Sequence, residues 1–133
     1  MAKRNVVGAK GARLLRKVAK HILEEPKRLN MMRFINRKGD GWPIYGEYPE
    51  CGTMGCIAGW AVALSTDELV KYNDIQDRAA KLLGLNPAQQ NVLFFDGKWP
   101  IEFQKRLLRT EIQTLPYAKV TADRIEHFIR TGE

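Results

Sequence analysis

Cys51-Gly-Thr-Met-Gly-Cys-Ile-Ala-Gly-Trp-Ala-Val-Ala-Leu64 is the stretch whose reading decides the fold. From Gly55 to Leu64 it carries no charge and only small or apolar side chains, so a helix built from it is apolar on every side and belongs in an interior. Thr53 is a good N-cap, because its hydroxyl can accept from an N–H two or three residues on, and Ser65-Thr-Asp67 supplies the stop. Gly55, Gly59 and Ala63 recur every four residues and leave a flat stripe for a neighbouring backbone. Each glycine costs a helix roughly 1 kcal/mol relative to alanine, which close packing has to offset. The expectation is a buried central helix over residues 54–64.

A chain of 133 residues suits one domain that buries roughly two thirds of its unfolded surface. The apolar fraction of 44% and charged fraction of 28% are those of a globular protein, and no run reaches the ~18 apolar residues of a membrane span. Met-Ala-Lys-Arg-Asn at the start is basic with no apolar run behind it, so no secretory signal is read and a cytoplasmic location is expected. The net charge of +7 is unevenly placed. Residues 1–38 hold twelve Lys or Arg against Glu24 and Glu25, a balance of +10, and residues 39–133 hold ten against thirteen, a balance of −3. An acidic partner would therefore dock on the N-terminal third.

Outward from the central stretch, most segments read as helix. Residues 1–8 lack periodicity and read as a flexible basic arm, with residues 9–133 as the single domain. From Ala9 to Glu25, Leu14, Val18 and Ile22 recur every four residues beside Leu15, Ala19 and Leu23, and the other face carries Arg13, Arg16, Lys17 and Lys20. Leu29 to Ile35 reads as a second, shorter helical segment. Asn36 to Glu50, with Trp42, Tyr45 and Tyr48 three apart, reads as the one long loop. Asn73 begins a helix that Gly84 ends, and Asn86-Pro87 serves as N-cap and first residue of another. Asp96-Gly97 is a turn, Trp99-Pro100 opens a helix through Ile101, Phe103 and Leu107, and Thr121 caps a last helix over residues 122–131. No segment alternates as a strand. The fold class expected is all-α, one compact domain of about five to seven helices.

Two cysteines in a chain able to build its own core are not a disulfide framework. A structural zinc site needs about four ligands, and only His21 and His127 accompany them, so no metal or other cofactor is expected. A thiol at a helix N-terminus has its thiolate favoured by the dipole, which makes Cys51 or Cys56 a conceivable nucleophile; as core, both are small buried side chains. Gly8-Ala-Lys-Gly11 lacks the preceding strand and the Gly-Lys-Ser/Thr ending of a phosphate loop. The best binding candidate is the basic face: Lys3, Arg4, Lys10, Arg13, Arg16, Lys17 and Lys20, able to follow a phosphate backbone or an acidic protein surface.

Two resemblances follow from the residues. Glu50-Cys51-Gly52 with Cys56-Ile57-Ala58, and later His127-Phe128-Ile129, resembles the active-site segments of bacteriocin-processing, papain-like cysteine peptidases; that resemblance implies Cys51 as nucleophile and His127 as base, although His127 falls in a helical segment and the strands of such a fold are not read here. Over nearly the whole chain from about residue 14, the order Cys51-Gly-Thr53, Cys56-Ile-Ala-Gly-Trp-Ala61, Ala80-Lys-Leu-Leu-Gly-Leu85, Leu93-Phe94 and Trp99-Pro100 resembles a family of small bacterial and phage proteins of unknown function. It implies a single compact domain and no chemistry. The function expected is therefore non-catalytic binding of an acidic partner, nucleic acid or protein. A cysteine hydrolase is the first alternative, and a self-associating assembly protein the second.

Overall fold

The computed structural model describes residues 7–29, 31, 35–36, 54–65 and 74–133. Among these, six α-helices follow one another: α1 Ala9–Glu24, α2 Ile57–Ala63, α3 Ile75–Leu83, α4 Pro87–Phe94, α5 Ile101–Leu108 and α6 Leu115–Thr131. The protein is all-α. A short antiparallel pair, β1 Ile35–Asn36 with β2 Met54–Gly55, places Ile35 opposite Gly55 and Asn36 opposite Met54. It corrects one expectation: Ile35 is strand rather than the end of a second helix; a 3₁₀ turn over Pro26–Arg28 follows α1.

The central helix is shorter than its apolar run. Met54 and Gly55 are taken into the strand pair, so α2 begins at Ile57 with Cys56 as an extended N-cap, φ −87° and ψ −176°. Thr53 and Cys51 lie outside the described residues. All six residues from Ile57 to Val62 are buried, as an all-apolar helix requires. Trp60 contributes the one polar group of that run, and its Nε1 donates to the Arg28 carbonyl at 2.8 Å.

α1 is amphipathic in the expected register. Gly11, Ala12, Leu14, Leu15, Val18 and Ile22 are buried, and that face packs chiefly on α6, with α2 and α3 alongside. Gly11 is needed for space: a Cβ there would collide with the Leu83 carbonyl and sit 2.9 Å from Val7 Cγ1. Val7 itself is 3% exposed, so the end of the expected basic arm belongs to the core; residues 1–6 lie outside the described ones. α3 ends where expected, Gly84 taking the left-handed conformation at φ 70° that costs other residues a Cβ clash. Asn86 and Gln89 form a reciprocal capping box at the start of α4, with Asn86 Oδ1 accepting from Gln89 N at 2.8 Å and Gln89 Oε1 from Asn86 N at 3.0 Å.

α6 starts earlier than the expected Thr121 cap. Its N-cap is Thr114, and Pro116 is in the first turn, where a missing N–H costs nothing. Thr121 is fully buried mid-helix and donates to the Tyr117 carbonyl at 3.1 Å. Tyr117, Ala118 and Val120 extend the face of Ile125, Phe128 and Ile129 by two turns. One hydrophobic cluster draws on all six helices among the described residues. No helix among them is long and apolar enough to cross a membrane.

Candidate functional site

The outward face of α1 is the candidate. Lys10, Arg13, Lys17 and Lys20 are all exposed, at spacings of three, four and three residues, which keep them on one side of a 3.6-residue helix. At 1.5 Å rise per residue the row is about 15 Å long. Lys10, Arg13 and Lys17 have no carboxylate partner among the described residues, whereas Lys20 is 4.0 Å from Glu24 one turn on. At that distance and exposure the pair is worth little, so Lys20 remains available. The first turn of α1 contains no acidic residue and its N-cap, Gly8, offers no side-chain acceptor, while the Leu83 carbonyl at the end of α3 lies against Gly11.

Arg16 does not belong to this row. Its guanidinium turns across the helix pair to Glu126 on α6, with Nη2 3.0 Å and Nε 3.4 Å from the two carboxylate oxygens. Both side chains are partly exposed, so the contact is a modest staple between α1 and α6. Lys3 and Arg4 lie outside the described residues. Of the seven basic residues singled out in the sequence, four are aligned, one is engaged elsewhere and two are not located.

The thiol and histidine candidates are separated by character. Cys56 is 2% exposed, and burial pushes its thiol up to about 11, against the smaller opposite effect of the backbone N–H groups of α2. Desolvation thereby overrides the helix dipole, and the thiolate needed for nucleophilic attack is disfavoured. His127 is half-buried on α6 with its ring 5.2 Å from that of Phe103. Cys51, its partner in the peptidase resemblance, lies outside the described residues. Among the described residues no group of three or more His, Cys, Asp and Glu is placed to hold a metal ion.

Two polar clusters, built on His21 and Arg124, join segments far apart in the chain. In the first, Arg28 Nη1 donates both to the His21 carbonyl at 3.0 Å and to His21 Nδ1 at 3.1 Å. A guanidinium only donates, so the imidazole is neutral with its proton on Nε2, and Nε2 is buried without a partner. The ring meets Trp60 edge-on at 4.2 Å. Burial and the nearby Arg28 hold His21 below its ordinary value, with Glu24 opposing. In the second, Arg124 is fully buried, its Nη2 donating to the Val92 carbonyl at 2.7 Å. The rings of Trp99, Phe103 and Phe128 surround its guanidinium at 5.7 to 5.9 Å. Periodicity offers the one early signal for it: Arg124 stands seven residues after Tyr117 and four before Phe128, on the apolar face.

Comparison with protein families, with curated proteins and with solved structures finds no match. The likeness to small bacterial and phage proteins therefore rests on the motif residues alone.

Proposed function

We propose that this protein acts by binding an acidic macromolecule through the Lys10, Arg13, Lys17 and Lys20 row of α1, together with Lys3 and Arg4, which precede it in the sequence. The observation that carries the proposal is the alignment, on a single exposed helix face, of three cations with no carboxylate partner among the described residues and one weakly paired cation. A nucleic-acid backbone suits that row best: a strand of duplex DNA presents a charge every 3.4 Å of axis, so ~15 Å of helix faces about four phosphates. Contacts of this kind set affinity and register without reading base sequence. The buried Cys56 thiol is a poor nucleophile, and Cys51, the nucleophile of the hydrolase alternative, lies outside the described residues.

The test is fluorescence anisotropy with a labelled duplex over a range of salt. Four neutralised phosphates give a slope of about −3.6 in log K against log salt, at ~0.9 for each. Replacing Arg13, Lys17 and Lys20 together by Glu abolishes this binding with the fold unchanged, since all three side chains are exposed. A flat salt dependence, or binding indifferent to the triple replacement, rejects the proposal in its nucleic-acid form.

A further inference from the structure

A cavity of ≈ 370 Å³ opens between α5, the 3₁₀ turn over Asp96–Lys98 and the approach to α6. Its size lies in the range of small-ligand sites. The mouth is apolar where solvent reaches it: Leu108 is 86% exposed and Ile112 45% exposed, and both line the opening. Large aliphatic side chains grouped in water around a concave opening are a feature of ligand-binding grooves.

The polar groups inside are biased toward acceptors. Gln104 uses its Nε2 on the carbonyls of Trp99 at 2.6 Å and Gly97 at 3.3 Å, which leaves Oε1 to accept. Thr110 gives its hydroxyl hydrogen to the Leu107 carbonyl at 2.7 Å, which leaves the lone pairs of Oγ1. Asp96 is half-buried, and its carboxylate has no hydrogen-bond or ion-pair partner among the described residues. Tyr117 is the exception. Its hydroxyl accepts from the Met31 N–H at 3.3 Å and keeps its own hydrogen, since burial, with a lesser contribution from Asp96, pushes the phenol up to about 12. No Lys or Arg lines the cavity among the described residues, in a chain with 22 of them.

The geometry points to a binding site for a small organic cation, a primary ammonium on an apolar body, with the ammonium donating to Asp96, Gln104 Oε1 and Thr110 Oγ1 and the body resting on Leu107, Leu108 and Ile112. An ammonium has three donors and no acceptor, the complement of this wall. Charge-assisted bonds to a carboxylate are the strong kind. Anionic ligands are excluded by Asp96, and neutral ones leave its charge unmatched. The site is separate from the basic row of α1 and does not depend on it.

The experiment titrates the whole chain with 2-phenylethylammonium and, in parallel, with 2-phenylethanol, which keeps the body and lacks the charge. Methyl resonances of Leu107, Leu108 and Ile112 report the location. The ammonium is expected to shift those methyls and to bind at least about tenfold more tightly than the alcohol, the effect of one charged hydrogen bond. Asp96→Asn removes that preference, and Leu108→Lys, at an exposed position, takes an apolar contact from both probes and weakens the ammonium more than the alcohol. Equal affinities for the two probes, shifts elsewhere on the protein, no shifts at millimolar ligand, or a preference that survives Asp96→Asn would each overturn the assignment.

Discussion

Replacing Arg124 separates a buried charge from the volume it fills. The last carbonyls of α4 have no partners within the helix, and two side chains satisfy a pair of them: Trp99 Nε1 donates to Leu93 at 2.9 Å and Arg124 Nη2 to Val92 at 2.7 Å. A cation there also complements the helix dipole. Against these gains stands desolvation, which lowers Arg124 from 12.5 to about 10, a drop worth ~3 kcal/mol at about 1.36 kcal/mol per unit. Its Nε and Nη1 are buried without partners. Methionine of similar reach keeps the packing against Trp99, Phe103 and Phe128, relieves that ~3 kcal/mol, and forfeits a charged hydrogen bond worth about 1.5–3 kcal/mol. Arg124→Met is therefore expected within about 1.5 kcal/mol of the parent, as buried charges replaced by apolar residues often are. Arg124→Ala adds a cavity and falls a further ~2–5 kcal/mol. Urea unfolding followed by circular dichroism distinguishes the two: at about 1–3 kcal/mol per molar, alanine moves the midpoint by roughly 1 M or more and methionine by far less. Equal losses of more than ~3 kcal/mol in both variants would show that the guanidinium, rather than the volume, holds this core together, and would refute the balance drawn here.

Gly11→Ala places a methyl against the Leu83 carbonyl and is expected to destabilise by about 1–3 kcal/mol as an overpacked contact, read as a lower thermal midpoint; an unchanged midpoint would mean that α1 and α3 part without cost. His21 is held below its ordinary value of 6.5 in the folded state, so the unfolded chain takes up a proton first as pH falls. The stability it contributes is complete above about pH 6.5 and declines below it, and His21→Asn should flatten that part of the profile in urea midpoints measured between pH 7.5 and 5; a parallel slope in the variant contradicts the assignment. Cys56, buried with its thiol near 11, should react with iodoacetamide in the folded protein only as fast as the protein opens, and a rate matching that of the urea-unfolded chain would place the thiol outside the core.

Local rules were enough for much of the fold. The period of Leu14, Val18 and Ile22 located α1, and Gly84, Asn86-Pro87 and Trp99-Pro100 set the ends of α3, α4 and α5, because caps and helix stops are decided within a few residues. Where pairing partners are distant the reading failed. Met54 and Gly55 leave the helix run because Ile35 and Asn36 pair with them, a contact with no local signature. Thr121 looked like a cap because Ser and Thr compete for backbone bonds in any context, yet here it bonds back to Tyr117 within a helix already two turns old. The basic face of α1 was visible as a pattern of charge, but the diversion of Arg16 to Glu126, 110 residues away, was not. The cavity beside Asp96 was invisible for the same reason: it exists only once α5 and the start of α6 face each other.

The most direct test of the central proposal is the affinity of the whole chain for duplex DNA at 50 and 200 mM salt, measured for the parent and for the Arg13, Lys17 and Lys20 to Glu variant. With a slope of about −3.6, a fourfold rise in salt weakens parent binding by roughly 150-fold, and the variant shows no measurable binding at either salt. Parent binding that changes little between the two salts, or a variant that binds as the parent does, would contradict it.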